Sequence, residues 1–187
     1  MRTAQEDFLT LVDSDDRAWG KLEKSLVHQL GLLHRAFSVF LFNSKGELLL
    51  QQRALSKYHS GGLWTNTCCS HPVFGEEVHE AIDRRLKEEM GMHCTTEFIF
   101  KFQYKAALDH GMTEHELDHV YVGFSDEPPV PSADEVMDWK YVDLETIESD
   151  LRTHPSHYTE WFKICFQQVK THVHSFPLTQ NKIHVSV

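Results

Sequence analysis

The sequence predicts a single α+β domain, an α/β sandwich in which a mixed β-sheet is flanked by helices. Alternating or aromatic-rich runs, typical of strands, and apolar residues at three- and four-residue steps, typical of helices, follow one another along the chain. The 187 residues, 41% of them hydrophobic, suffice for one sizeable core. Because no Pro/Gly/Ser-rich linker and no internal repeat divides them, we expect one domain over residues 1–187.

The strand predictions begin at a tight turn. Apolar runs at 37–42 and 47–53 flank the four residues from Asn43 to Gly46, which predicts a β-hairpin. Two segments are predicted as loops: 64–76, which is rich in thiols and hydroxyls, and 126–131, which carries three prolines. Further strands are predicted at 98–104, 118–124 and 138–142.

Helical periodicity is clear in two segments. Between Glu77 and Met90 the apolar residues recur at three- and four-residue steps, and Gly91 follows where a helix C-cap would lie. A second apolar stripe runs from Tyr158 to Val169. The sequence therefore predicts helices in both segments.

Two charged residues interrupt the apolar face of the first helix. At about 100° per residue, Arg85 and Glu89 fall near the centre of the apolar arc. One interpretation is structural: a buried i,i+4 ion pair, or side chains that extend past the core to solvent. The other is that this face lines a site that handles an anion and a cation.

Composition excludes several classes of function. The formal net charge of −10 would repel DNA or RNA over most of the surface. No apolar run approaches the ~18 residues that span a bilayer, and the acidic residues 1–7 do not resemble a signal peptide. The four cysteines show no CxxC spacing and two are adjacent, so we expect free thiols in a reducing compartment. These features predict a cytoplasmic protein without nucleic-acid partners or membrane insertion.

The first helix and its approach resemble the Nudix signature, a loop-helix-loop that presents glutamates to a divalent cation on a diphosphate. Glu76 is followed, after seven residues, by the run RRLKEEMGM at 84–92. Ser70 replaces the usual first glycine of the signature, and Arg85 replaces the usual glutamate after its arginine. Hydrolases use the carboxylate cluster to assemble metals around an attacking water, so this loss argues against ordinary pyrophosphate hydrolysis.

A longer resemblance, from about Leu22 to Trp161, is to the type 1 isopentenyl-diphosphate Δ-isomerases of the Nudix superfamily. It implies the Nudix fold. Each of the matching pieces is weakly specific alone, but their order is specific. They are 22–24 with His28, 34–38, 53–57, 64–66, Cys69 with 71–72, 75–76, the modified helix, Glu114 with Glu116, 134–138 and Trp161.

The resemblance implies a tightly bound divalent metal held by three imidazoles and two carboxylates. This mixed N/O set suits Mn²⁺ or Zn²⁺, and its preferred geometry does not separate the two. The interval between His28 and His34 is one residue shorter than the family pattern. The implied ligands are His28, His34, His71, Glu114 and Glu116.

It also implies a binding site for the substrate diphosphate. Four cations in an otherwise acidic protein would concentrate such an anion locally. Glu89 and the backbone carbonyl of Cys69 would hold a second ion, Mg²⁺, that arrives with the diphosphate, because a hard cation prefers oxygen ligands. The implied diphosphate-binding residues are Lys24, Arg53, Lys57 and Arg85.

The implied chemistry is an allylic double-bond shift, which needs an acid and a base on opposite sides of a small apolar pocket. Cys69 and Glu116 form the expected pair, with either one as the acid, and Tyr104 is expected to hydrogen-bond Glu116. Trp161 either packs in the core or stabilises the developing cation with its indole face. Cys68 is not expected to be catalytic.

The expected function is therefore interconversion of isopentenyl and dimethylallyl diphosphate in isoprenoid biosynthesis, on a small-molecule substrate. The alternative enzyme is a Nudix hydrolase of a nucleoside diphosphate derivative. A third interpretation is a catalytically silent module that senses diphosphate metabolites or serves as an interaction scaffold, which the combination of Cys69, Glu114 and Glu116 disfavours. The sequence leaves the oligomeric state and the native metal open.

Overall fold

Strands and helices alternate along residues 8–175, the part of the chain that the computed structural model describes. The strands of this part are β1 (Phe8–Val12), β2 (Ala18–Glu23), β3 (His34–Phe42), β4 (Leu48–Arg53), β5 (Trp64–Thr65), β6 (Cys68–Ser70), β7 (Thr96–Ala107), β8 (Thr113–Phe124) and β9 (Val136–Val142). The helices are α1 (Lys24–Leu30), α2 (Val78–Met90), α3 (Leu144–Thr153) and α4 (Glu160–Ser175), with 3₁₀ turns at Asp109–Gly111 and Pro155–His157.

Strand β3 organises a mixed sheet. It pairs in parallel with β8 over its whole length, from His34 opposite Glu116 to Phe42 opposite Phe124. Its other edge meets β1, β6 and β4 in turn, all antiparallel. Strand β7 pairs with β8, and β9 and β5 pair with β4. The predicted mixed sheet is confirmed.

Helices cover the two faces of this sheet. Phe40 and Phe42 of β3 pack on the side of α4, whereas Phe37, Val39 and Leu41 pack on the side of α2. Successive strand residues point to opposite faces, so the unbroken apolar run of β3 fills both layers. The predicted α+β sandwich follows from this arrangement.

The predicted hairpin exists only at its turn. The Gly46 amide donates to the Asn43 carbonyl at 2.9 Å, but beyond the pair Phe42 and Leu48 the two strands part, β3 toward β8 and β4 toward β9. The predicted hairpin is therefore confirmed at its turn, and its pairing does not continue along the two strands. Both strands are buried on two faces, and such strands need neighbours within a larger sheet.

The segment 64–76, predicted as a loop, contains the short strands β5 and β6. Its polar side chains bridge the gap where β3 and β4 separate. The Thr67 hydroxyl accepts from the Leu41 amide at 2.9 Å and donates to the Leu49 carbonyl at 2.7 Å. The Asn66 amide donates to the Val39 carbonyl at 3.2 Å. Hydroxyls and amides typical of loops here satisfy backbone groups inside the sheet.

Both predicted helices are present. Helix α2 begins after Glu77 with a capping box and ends at Gly91, whose φ of 65° is left-handed. A Cβ at Gly91 would approach the Val130 carbonyl oxygen to 2.4 Å, so only glycine fits. Helix α4 starts two residues later than the predicted stripe, because Tyr158 is still extended. The segment 126–131 is irregular, as predicted.

Strands β1 and β2 and helices α1 and α3 were not predicted. All four cysteines are free thiols, as expected. Among residues 8–175, none of the helices combines the length and apolarity needed to cross a membrane. The expectation drawn from the acidic residues 1–7 lies outside the described residues.

Candidate active site

Three imidazoles and two carboxylates converge at one end of β3 and β8. Their ligand atoms all lie within 4.8 Å of one another. Strand alternation places both glutamates on one face of β8, and the parallel register sets His34 beside Glu116. The left-handed Gly31, with φ of 61°, ends α1 and turns the chain from His28 to His34 within the short interval. The converging residues are His28, His34, His71, Glu114 and Glu116.

The donors of this cluster point at one another. His71 Nε2 lies 2.7 Å from Glu116 Oε1, and His28 Nε2 lies 3.2 Å from Glu114 Oε2. His28 Nε2, His34 Nε2 and Glu114 Oε2 are buried without a hydrogen-bond partner. Leaving such a polar atom unsatisfied costs about 1–3 kcal/mol. A divalent cation bound by these atoms would remove that cost, so the donor set fits one.

Backbone carbonyls fix the orientation of two of the imidazoles. His28 Nδ1 lies 2.7 Å from the Lys24 carbonyl oxygen, and His34 Nδ1 lies 2.9 Å from that of Leu32. This outer contact turns each Nε2 inward, as in metal-bound histidines. Burial and the adjacent Lys24 ammonium hold the pKa of His71 well below its usual range, so its imidazole is neutral and able to ligate.

Glu116 joins the histidine cluster to a tyrosine. The buried Tyr104 hydroxyl donates to Glu116 Oε2 at 2.7 Å, the contact expected from the sequence. Burial alone would raise the pKa of Glu116, but the neighbouring His34 ring and the hydrogen bond from Tyr104 outweigh it and hold the pKa below its usual value. The carboxylate therefore has one oxygen toward the histidines and one toward Tyr104.

An inner cavity extends from this cluster into the domain. Glu116, Cys69 and Trp161 line it together with Phe37 and Arg53. An outer groove shares Lys24, Lys57, Tyr58, Ser70, His71 and Arg85 with the cavity. The cationic side chains of Lys24, Lys57 and Arg85 therefore lie at the boundary between the inner cavity and the outer groove.

Strand alternation separates the two adjacent thiols. Cys69 pairs with Ser38 of β3 and lines the cavity, whereas Cys68 is fully buried in the core beneath α2. Burial raises the pKa of Cys69 to about 12, although the Arg53 guanidinium, 4.0 Å from the sulfur, opposes the shift. The Cys69 side chain is therefore a thiol at neutral pH.

The structure confirms the packing interpretation of Trp161, and its cation-stabilising role stays a prediction. Its side chain packs in the core on the α4 side and also lines the cavity. The indole N–H donates to the Thr65 hydroxyl at 2.9 Å. The Arg53 guanidinium lies 5.3 Å from the ring centroid, within the range of a cation–π contact.

All four expected diphosphate-binding cations line the cavity. Lys57 and Arg85 both contact Glu135, and Arg85 also pairs with Glu88 and Glu89, each at 2.6 Å. Arg53 donates to backbone carbonyls instead. Burial and the neighbouring Lys57 and Arg85 charges lower the pKa of Lys24 to about 8. A bound anion would reverse this shift and hold Lys24 charged.

Arg85 and Glu89 form a buried i,i+4 ion pair, which confirms the structural interpretation, and they also line the cavity. At 5% and 4% exposed they do not extend to solvent, and that alternative is wrong. The role of this face in handling an anion and a cation stays a prediction. The other oxygen of Glu89 accepts from Gln51 Nε2 at 2.9 Å. Glu89 is thus held rigidly at the cavity wall.

Sequence reasoning gave no role to Glu135, Tyr58 or His59. Glu135 lies inside the matched piece 134–138 and between two cations, which hold its pKa at about 2 despite burial. Tyr58 and His59 directly follow the piece 53–57, and both line the cavity. The sequence signal for a functional role of these three residues was their position inside a matched piece or directly after one.

Comparisons with known proteins agree with this architecture. The NUDIX domain family matches residues 32–162. An isopentenyl-diphosphate Delta-isomerase of Serratia proteamaculans is 48% identical over 157 residues, covering 84% of this chain and 88% of its own. That of Pectobacterium atrosepticum is 45% identical over 174 residues, covering 93% and 97%.

Solved structures show the same fold at low sequence identity. DR0079 from Deinococcus radiodurans superposes with a TM-score of 0.72 at 17% identity, over 86% of this chain and 98% of its own. The MutT protein from Methanosarcina mazei superposes with a TM-score of 0.62 at 18% identity, over 75% and 94%. These similarities concern the fold alone.

Proposed function

The chain belongs to the Nudix family and, within it, to the isopentenyl-diphosphate Delta-isomerases, and we propose that the site described above interconverts isopentenyl diphosphate and dimethylallyl diphosphate. One observation carries the assignment of the site: the Cys69 thiol and the Glu116 carboxylate line the same buried cavity, which Trp161 also walls. The two relatives carry the name of this reaction, and this chain covers most of the length of each.

The reaction transfers two protons. One is added to the terminal alkene carbon, which leaves a tertiary carbocation-like state, and one is removed from C2, which sets the double bond in its new position. Cys69 and Glu116 are the pair that gives and takes these protons, and Tyr104 holds the Glu116 oxygen that faces it. Trp161 offers the cation a π face that cannot react with it. No bond to phosphorus changes.

The cations at the cavity mouth would orient the diphosphate. Lys24, Lys57 and Arg85 border both the cavity and the outer groove, and Arg53 acts from the cavity side. Glu89 and the Cys69 carbonyl would hold the Mg²⁺ that accompanies the diphosphate. An apolar chain anchored in this way would extend toward Cys69 and Glu116.

The histidine-glutamate cluster would hold Mn²⁺ or Zn²⁺. Such an ion, when bound, fixes Glu116 and favours its ionised form. The free thiols are consistent with a reducing compartment, and we propose a cytoplasmic enzyme of isoprenoid biosynthesis that acts on small diphosphates and does not bind nucleic acid.

The test is incubation of the protein with Mg²⁺ and isopentenyl diphosphate, followed by ¹H and ³¹P NMR. We expect dimethylallyl diphosphate and no inorganic phosphate, and we expect no product with the matched variant Cys69→Ala. Phosphate release without isomer would favour the Nudix hydrolase. Binding of the diphosphate without any reaction would favour the silent module.

A further inference from the structure

The segment between β4 and β5 brings one more imidazole to the histidine-glutamate cluster. His59 is 5% exposed and lines the cavity, yet it is outside the group of mutually close ligand atoms. The next residue, Ser60, has a left-handed φ of 52°. A non-glycine residue in this conformation costs about 1–3 kcal/mol, and surrounding contacts must hold it there.

Two charged side chains hold the backbone of this segment. Arg53 donates from Nε to the Ser60 carbonyl at 3.2 Å and from Nη2 to the His59 carbonyl at 3.3 Å. The Ser60 amide donates to the Asp109 carboxylate at 3.3 Å. These contacts from two sides hold the backbone at His59 and Ser60 in place.

The ring lies beside a carboxylate of the cluster. His59 Nε2 lies 3.3 Å from Glu114 Oε1, and Nδ1 lies 3.3 Å from the Ser60 hydroxyl. A hydroxyl that donates to Nδ1 leaves the ring proton on Nε2, facing Glu114. The second Glu114 oxygen, Oε2, faces His28 Nε2 and has no hydrogen-bond partner.

We infer that His59 is a positioning residue for the metal site: it donates a hydrogen bond from Nε2 to Glu114 Oε1 and so aims Oε2 at the cation. This inference rests on the metal site of the proposed function. The same ring lies edge-on to Trp161, with centroids 6.2 Å apart at 87°, so it contacts both the metal site and the cavity wall. Outer partners of this kind typically contribute 10–100-fold to metal affinity.

The test compares metal affinity in matched variants, by chelator competition with Mn²⁺ and with Zn²⁺. His59→Phe keeps a ring beside Trp161 but has no N–H, and we expect its affinity to fall 10–100-fold. His59→Gln places an amide N–H near the position of Nε2, and we expect it to recover most of the loss. His79→Ala, which removes an exposed histidine of α2, serves as the control and should bind as the wild type does.

X-ray absorption of the Zn²⁺-loaded proteins separates positioning from direct ligation. We expect the same number of imidazole ligands in the wild type and in His59→Phe. One imidazole fewer in the variant would make His59 a ligand and overturn the inference, as would unchanged affinity in His59→Phe. Absence of tight metal in the wild type itself would instead refute the proposed metal site. Circular dichroism of each metal-free variant checks that it is folded.

Discussion

Substitution of Trp161 separates packing from chemistry at the cavity wall. Trp161→Phe and Trp161→Leu both remove the indole N–H that donates to Thr65. That hydrogen bond is worth about 0.5–1.5 kcal/mol. The Thr65 hydroxyl keeps its contacts to Thr159 and Asn66, at 2.9 and 2.8 Å, so no buried donor is stranded. Lost aromatic volume adds about 1–3 kcal/mol, and we expect both variants to be destabilised by roughly 2–4 kcal/mol.

The effect on the rate should differ between the two variants. If the indole faces the developing cation, Phe keeps a weaker π face, whereas Leu offers none. A cation–π contribution of about 2 kcal/mol in a desolvated pocket corresponds to roughly thirtyfold in rate. We therefore expect Trp161→Phe to retain part of the turnover and Trp161→Leu to lose about thirtyfold more than Trp161→Phe does.

The assay is the initial rate of dimethylallyl diphosphate formation at saturating substrate, divided by the folded fraction from circular dichroism at the same temperature. Both variants lack the indole N–H, so the comparison isolates the aromatic face. Equal turnover per folded molecule in Phe and Leu would reduce Trp161 to a core residue and refute the cation-stabilising role.

Four further predictions concern single side chains. Cys69→Ala should abolish turnover, measured by NMR, whereas Cys68→Ala should keep it with a stability loss of about 1 kcal/mol. An inactive but folded Cys68→Ala protein would contradict the choice of Cys69 as the catalytic thiol. Glu116→Gln should remain folded by circular dichroism but form no isomer, and substantial activity would refute its role. His71→Ala should lose the one tightly bound transition metal per chain, and full metal by elemental analysis would contradict the ligand set. The pKa of Glu135 is held at about 2 in the folded protein, below its unfolded value, so its contribution to stability is complete above pH 4.5 and falls as the pH drops toward 2. Solvent screens this partly exposed carboxylate, so we expect a contribution of about 1–2 kcal/mol, and urea unfolding of Glu135→Gln should show its deficit shrinking over that range.

The parts of the fold that carry a clean hydrophobic period were predictable from the sequence. Helix α2 has an apolar stripe with a glycine at its end, and it begins and ends within a residue of the prediction. Strand β8 was predicted from 118 onward, but it begins at Thr113. Its first inward-facing residues are Glu114 and Glu116, and polar residues on a buried face break the pattern that identifies a strand. The apolar periodicity is therefore broken at the positions of the proposed functional residues.

The site was predictable as a set of residues but not as an arrangement. The adjacent residues Cys68 and Cys69 are chemically identical, and only the register of β6 against β3 directs the second into the cavity. The contacts of Arg53 with the backbone at His59 and Ser60 depend on a left-handed turn that nothing in the local sequence requires. Neither strand register nor a left-handed backbone conformation at a non-glycine residue produces a periodic pattern in the sequence. These two features could therefore be found only in the structure.

In the proposed mechanism, Arg85 is the residue that lets a Nudix helix serve proton transfer in place of hydrolysis. Its buried guanidinium contacts Glu88, Glu89 and Glu135, so protein cations neutralise carboxylates that a hydrolase would use to gather metal ions around an attacking water. A glutamate at this position would reverse that balance and add a further negative charge near Glu89. In the proposed mechanism the α2 face, with Arg85, would favour an anion and one accompanying cation, and Cys69 would supply the reactive proton in the cavity. We therefore propose that this loop-helix-loop holds a diphosphate without placing water in line with its phosphorus.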